Sequence, residues 1–303
     1  MYYYTVVKVA ENEYITLPSP PFLEINKYSI VHLTMKNPPA ILGKITESTI
    51  KRVEKAKTLL PFDALKNSVS SALPVTSSEK KIQSFQNALA APGLSFICEV
   101  KKASPSKGVI SAVFPWMDIA KDYDEGGASA ISVLTEPEFF LGSEQYLREI
   151  SAAVKIPTLR KDFIIDTYQI YEAKLWGAKA VLLICALLEP ETLSSFIACA
   201  DELALDCLVE IHSEEEAREA ISAGAKIIGI NNRDLTTFNV DTGLTARLRE
   251  QIPTGILTVA ESGINCVNDI KELKKTGVDA VLIGESLMRS ANRKQFLNEL
   301  LSV

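Results

Sequence analysis

Four stretches of the chain share one local pattern: a glycine, then Ala or Val, one small or polar residue, and an apolar run. They are GASAISVL from Gly127, GAKAVLLI from Gly177, GAKIIGIN from Gly224 and GVDAVLIG from Gly277, separated by 50, 47 and 53 residues. Each glycine closes a helix-like stretch, such as EEEAREAISA from Glu214 to Ala223, where a left-handed cap ends a helix most easily. Each apolar run is short and largely non-alternating, the pattern of a parallel strand covered on both faces. Midway between them lie LSFICEV from Leu94, PTLRKDF from Pro157, DCLVEIH from Asp206 and ILTVAES from Ile256. Helix signals fill the gaps; Ser213 and Glu216 predict a capping box, with Glu214 four before Arg218. Eight strand–helix units between 93 and 303 predict an α/β fold, the (β/α)8 TIM barrel, whose usual size is ~250 residues. The alternative is an open doubly wound sheet. Its dinucleotide-binding form needs a GxGxxG turn after the first strand, and the sequence has none.

Ahead of the barrel, residues 35–92 read as a helical extension. Apolar residues fall near helical spacing from Ile41 to Leu60, and a second short helix is expected over Glu79 to Ala90. Residues 1–34 are aromatic-rich, carry the cluster LPSPPF and show no amphipathic period. Because MKNPPAILGKI begins at Met35, native translation is expected to start there. The chain ends after the eighth expected helix, so no fused second enzyme is expected.

A net charge of −6 and a pI near 5.2 argue against a nucleic-acid partner, which would need clustered Lys and Arg. No run approaches the ~18 apolar residues of a membrane span. The amino terminus lacks the basic and apolar regions of a secretory signal. Five cysteines with no CxxC spacing read as reduced thiols of a cytoplasmic protein. Two histidines, His32 and His212, leave no material for a His-rich metal site or a Ser-His-Asp triad, so no metal is expected.

Chemistry gathers at the strand ends. In ICEVKKASPSKG, Ile97, Glu99 and Lys101 share one face, since alternate residues of a strand point the same way. Lys161 after PTLR, Glu210 after DCLV, Asn231 after IIGI and Glu261 after LTVA repeat the arrangement. Singly, each reads as well as a solvated or ion-paired charge. Together they occupy the barrel end where this fold delivers catalytic groups. Lysines and glutamates in one pocket would shift each other's pKa values and supply both a proton donor and an acceptor near neutral pH. ESGI at Glu261 and IGES at Ile283 place glycines where the last two loops of this fold commonly bind phosphate; the plainer reading is a pair of tight turns.

The strings EVKKASPSKG at Glu99, LTEPEFFLGS at Leu134, LRKDFIID at Leu159, VEIHSEEE at Val209, GINNRDL at Gly229, VAESGI at Val259 and LIGESLM at Leu282 resemble the indole-3-glycerol phosphate synthase family. The resemblance runs in order from about Ile41 to Val303. It implies a ring closure with loss of carbon dioxide and water, a sugar-phosphate substrate and no cofactor. By match to the family, Lys161 is the general acid, Lys101, Glu210 and Glu99 share the later acid–base work, and Asn231 and Ser262 orient the substrate. Glu261 joins the substrate-binding set, and Arg233 lies near the anthranilate carboxylate. Lys101, Ser104, Gly263, Gly284 and Glu285 contact or frame the phosphate, Glu285 through its backbone. Lys102, of opposite parity, is expected to be structural, and SPSKG to form a lid. The chain departs from the family at Thr49-Ile50, where a basic pair is usual, and at FPWMDIA from Phe114, which lacks the usual Asp before its proline. Residues 1–34 have no family counterpart. The partner expectations are a small-molecule substrate only, with a monomer or weak homo-oligomer. Two alternatives stay open: a barrel aldolase or isomerase with a Schiff-base Lys161, and a non-catalytic phosphate-binding barrel.

Overall fold

The structure, a computed structural model, describes residues 4–10, 13–18, 36, 40–71 and 83–303. The chain divides into two compact units, Met1–His32 and Leu33–Val303. In the first, Tyr4–Ala10 and Glu13–Pro18 pair antiparallel, an element the sequence pattern did not reveal.

In the second unit, eight parallel strands close a barrel in chain order. They are β1 (Ser95–Val100), β2 (Ala130–Leu134), β3 (Thr158–Lys161), β4 (Ala180–Ile184), β5 (Asp206–Ile211), β6 (Ile227–Asn231), β7 (Leu257–Glu261) and β8 (Ala280–Ile283). All eight coincide with the apolar runs read from the sequence. The ring closes where β8 meets β1, with Leu282 opposite Ile97. Gly127, Gly177, Gly224 and Gly277 all have positive φ, so each helix-ending glycine takes the left-handed turn that launches the next strand.

Helix α1 (Ala40–Leu59) is the expected extension helix. Helix α2 (Phe62–Ser71) was not expected; Pro61 starts it, its carbonyl accepting the Leu65 N–H. Leu65 and Val69 of α2, Val53 of α1 and Tyr168 form a small satellite core. Each such apolar side chain adds about 1.5–3 kcal/mol on burial. Within the expected Glu79 to Ala90 helix, residues 79–82 lie outside the described residues, and α3 (Phe85–Leu89) is what is seen of it.

Around the barrel run α4 (Trp116–Glu125), α5 (Glu144–Ala153), α6 (Thr167–Leu175), α7 (Pro190–Glu202), α8 (Glu214–Ser222), α9 (Leu244–Arg249), α10 (Val267–Thr276), α11 (Glu285–Arg289) and α12 (Arg293–Leu301). The capping box expected at α8 is only half made. Ser213 Oγ accepts the Glu216 N–H, but Glu216 reaches one residue further back, to the His212 N–H at 2.6 Å. Helix α4 starts at Pro115 with no side-chain cap, the consequence of the missing Asp. The Trp116 indole donates to Glu149 and its ring lies 4.6 Å from that of Tyr146, which anchors this end of the loop instead.

Candidate active site

Strands β1 and β5 carry Glu99 and Glu210 as their penultimate residues, while β3, β6 and β7 end on Lys161, Asn231 and Glu261. Strand register brings them level: Glu210 of β5 lies opposite Gly229 of β6, and Asn231 opposite Glu261. These five side chains and Lys101 line one cavity of about 690 Å³ at the barrel mouth. Ser104, Arg233, Ser262, Gly263, Gly284 and Glu285 line the same cavity, so every residue singled out from the sequence converges there.

The lumen holds three buried carboxylates and two ammonium groups. Lys161 Nζ donates to Glu210 Oε2 at 3.2 Å and lies 3.7 Å from Glu261 Oε2. Lys101 is ion-paired with Glu99. Asn231 Nδ2 donates to Glu210 Oε1 at 3.2 Å, and the Arg233 N–H donates to Asn231 Oδ1, fixing the amide. Glu261 Oε1 has no hydrogen-bond partner among the described residues. Two glycines make room for this crowding. A Cβ at Gly229 would stand 2.1 Å from Glu261 Oε1, and one at Gly284 would stand 2.5 Å from Glu99 Oε1.

Burial opposes every charge here, and the neighbours decide each outcome. Burial pushes the Glu99 carboxyl up, but Lys101 and Lys161 outweigh it and hold the group below its usual range. Burial likewise opposes a charged Glu210, yet Lys161 and His212 keep it ionised. Lys161, desolvated but faced by Glu210, Glu261 and Glu99, is held above the ordinary lysine range and stays an ammonium. Glu261 is the outlier: burial, with repulsion from Glu210 and Glu99, exceeds the pull of Lys161 and raises it to about 8.

Just past the end of β7, Ser262 has φ 64°, a left-handed conformation that costs a non-glycine residue of order 1–3 kcal/mol. Asn232 Nδ2 holds it through the Ser262 carbonyl, and Ser286 Oγ ties this loop to the next by donating to the Ile264 carbonyl. Glu285 turns its carboxylate to Arg289 and Lys107, leaving the backbone of the first turn of α11 toward the cavity, where leading N–H groups lack partners within the helix. The SPSKG turn forms a small hairpin, Ala103–Ser104 with Gly108–Val109, the Lys102 carbonyl accepts the Ile110 N–H, and Lys102 is not among the cavity-lining residues.

Sequence reasoning missed the apolar wall. Ile41, Leu42 and Ile45 of α1 and the rings of Phe140 and Phe163, 5.9 Å apart, also line the cavity. The helical spacing of Leu42 and Ile45 suits packing and cavity lining alike.

Also missed was the charge system behind β3. Arg160 and Asp162 flank Lys161 but point outward. Arg160 stacks over Trp176 at 4.2 Å and donates to Asp162 and Glu172. Arg52 of α1 donates to both oxygens of Asp162, at 2.9 and 2.7 Å, and to Thr49 Oγ1. Arg52 thus ties the extension helix to the strand end that bears Lys161.

A family model for indole-3-glycerol phosphate synthase matches residues 42–300. The chain belongs to the indole-3-glycerol phosphate synthase family. An indole-3-glycerol phosphate synthase of Ruminiclostridium cellulolyticum is 55% identical over 252 residues, covering 83% of this chain and 95% of that protein. One of Endomicrobium trichonymphae is 53% identical over 260 residues, covering 86% and 99%. Among solved structures, a 3-hexulose-6-phosphate synthase aligns with a TM-score of 0.55 at 14% identity, covering 69% of this chain and 99% of that one. The N-acetylmannosamine-6-phosphate 2-epimerase from Clostridium perfringens gives 0.55 at 15%, covering 75% and 99%. These two likenesses concern the barrel alone. The family's reaction is this chain's: 1-(2-carboxyphenylamino)-1-deoxyribulose 5-phosphate closes to indole-3-glycerol phosphate, losing carbon dioxide and water, a carboxy-lyase step of tryptophan biosynthesis. Among the described residues, no helix is long and apolar enough to cross a membrane.

Proposed function

We propose that the cavity divides the reaction among its residues as follows. The aromatic ring lies against Ile41, Leu42, Ile45, Phe140 and Phe163, with its carboxylate toward Arg233. The phosphate sits at the opposite end, on the backbone of Ser262, Gly263, Gly284 and Glu285, with Lys101 and Ser104 closing over it. The C2′ ketone is then held beside Lys161. As the ring carbon that bears the carboxylate attacks C2′, Lys161 gives its proton to the developing alkoxide. Carbon dioxide leaves with the electron pair returning to the ring. The C2′ hydroxyl then departs as water, protonated by Lys101, while Glu210 removes the proton that completes the double bond. Glu99 orients Lys101; Asn231 orients Glu210. Glu261, with a pKa of about 8, carries a proton near neutral pH and donates it in a hydrogen bond to substrate oxygen.

The observation that carries this reading is the buried Lys161 ammonium, 3.2 Å from Glu210 and 3.7 Å from Glu261, between an apolar wall and a phosphate cradle. Its raised pKa keeps the amine protonated, which disfavours a Schiff base, since that needs a neutral amine. Every proton transfer has a protein group to carry it, so the reading calls for no cofactor and no metal. It also takes the organisation to be a leading segment 1–34, an extension 35–92 and a catalytic barrel 93–303. The enzyme is taken to work in the cytoplasm as a monomer or weak homo-oligomer, in keeping with five free cysteines. Mixing chelator-treated protein with the carboxyphenylamino sugar phosphate tests it. Indole fluorescence should rise with one carbon dioxide released per indole formed, and borohydride should trap no adduct; a trapped Lys161 adduct, or no fluorescence, contradicts the reading.

A further inference from the structure

His212 stands two residues after Glu210, so both side chains leave the same face of the β5 end. Its ring lies between two carboxylates: Nε2 is 3.6 Å from Glu210 Oε1, and Nδ1 is 3.5 Å from Glu216 Oε2. Both nitrogens are buried and neither completes a hydrogen bond among the described residues. Glu216 is itself anchored, accepting the His212 N–H at 2.6 Å from the first turn of α8. Other charges face the ring from Glu261 at the end of β7 and from Asp234 in the loop after β6. Lys161 meets Glu210 through the other oxygen, Oε2.

With Glu261 protonated, Glu99 and Glu210 balance Lys101 and Lys161, but Glu216 forms no ion pair with a lysine or arginine among the described residues. An imidazolium between Glu216 and Glu210 supplies the positive charge Glu216 lacks. A neutral imidazole has one N–H and serves one carboxylate; the imidazolium has two and serves both.

We propose that His212 is a positioning residue of the reaction: as an imidazolium it bridges Glu216 to Glu210 and holds the Glu210 carboxylate toward Lys161 and the substrate. The proposal rests on the reading of Glu210 as the base. Burial opposes the charge of the ring, and Glu216, Glu210 and Glu261 outweigh it, lifting His212 above the ordinary histidine value. Deprotonation at alkaline pH removes one of the two bridges, so turnover falls there.

Turnover against pH for wild type, His212→Gln, Glu216→Gln and Glu210→Gln, with a histidine side-chain NMR titration assigned through His212→Gln, tests this. His212→Gln should lower kcat roughly tenfold, less than the ~10²-fold of losing a proton-transfer group, with KM barely changed and the alkaline limb of His212 gone. Glu216→Gln keeps the acceptor for the His212 backbone while removing the charge, so it should move both the limb and the NMR midpoint to lower pH. It also reads the effect should His212→Gln fold poorly. An alkaline limb that stays in place in both variants belongs to Glu261 and overturns the proposal, as does wild-type kcat in His212→Gln. If Glu210→Gln loses turnover while the other two variants match wild type, this proposal alone falls; if Glu210→Gln keeps full turnover, the base assignment falls with it.

Discussion

One peptide bond separates Lys161 from Arg160 on one side and from Asp162 on the other, yet the two faces of this strand end belong to different electrostatic systems. On the outer face, Asp162 accepts hydrogen bonds from Arg52, Arg160, Thr135 and the Phe163 N–H, at 2.7 to 3.0 Å. Burial opposes its charge, but Arg52 and Arg160 hold it far below its ordinary range. On the inner face, three carboxyl groups share two ammonium groups, Glu261 comes no closer than 3.7 Å to Lys161, and one Glu261 oxygen has no partner among the described residues. Both faces are buried, so burial is not what differs. The outer face is satisfied by the protein and adds to stability; the inner face retains polar capacity open to a ligand, at some cost to the fold.

Substitutions on the two faces should therefore separate turnover from stability. The largest effect is expected for Lys161→Ala, which should lower kcat by roughly 10²-fold or more, the scale of losing a general acid; the fluorescence assay measures it, and near-normal turnover would remove Lys161 from the chemistry. Next comes Arg52→Ala, which leaves Asp162 short of its bidentate partner and should cost about 3 kcal/mol in denaturant unfolding, the lower end for breaking a buried pair. Its effect on kcat should be far smaller than that of Lys161→Ala. Asp162 has a folded pKa below its ordinary 3.8, so the stabilisation is present above that pH and is lost as the pH falls through the folded value; the gap between Arg52→Ala and wild type should narrow below about pH 4. The smallest effect is expected next door on α1, where exposed Lys51 pairs with Glu47: Lys51→Ala should leave both melting temperature and turnover unchanged within error. Equal losses from Lys51→Ala and Arg52→Ala would show that the outer face is ordinary surface charge.

The same contrast explains what the sequence revealed. Strands were legible because four of the eight pair a left-handed glycine with an apolar run and the other four fall midway between them, and site residues because strand parity and the barrel's polarity together aim them at one mouth. Partners distant in sequence were not legible. Arg52 lies 110 residues from Asp162, and no local pattern announces that α1 supplies its cation. Nothing local in GAKIIGIN singles out Gly229, yet its missing side chain is the space Glu261 occupies. Glu216 fitted a capping box, but His212 competed for it and won. Helix α2 has a short apolar face whose main partners lie far away in sequence, on α6, as well as on α1.

The central claim, that the inner face is held in an unsatisfied state, is tested most directly by denaturant unfolding of Glu261→Gln and wild type across pH. Glu261 is raised from 4.5 to about 8, so wild-type stability is fullest below the ordinary value and declines as the pH rises through the folded one. Glutamine does not ionise and should escape that decline. The account predicts that Glu261→Gln is the more stable protein at about pH 9, that its advantage shrinks steadily toward pH 4.5, and that its turnover is reduced. A variant less stable than wild type throughout that range, or a difference that does not change with pH, would contradict it.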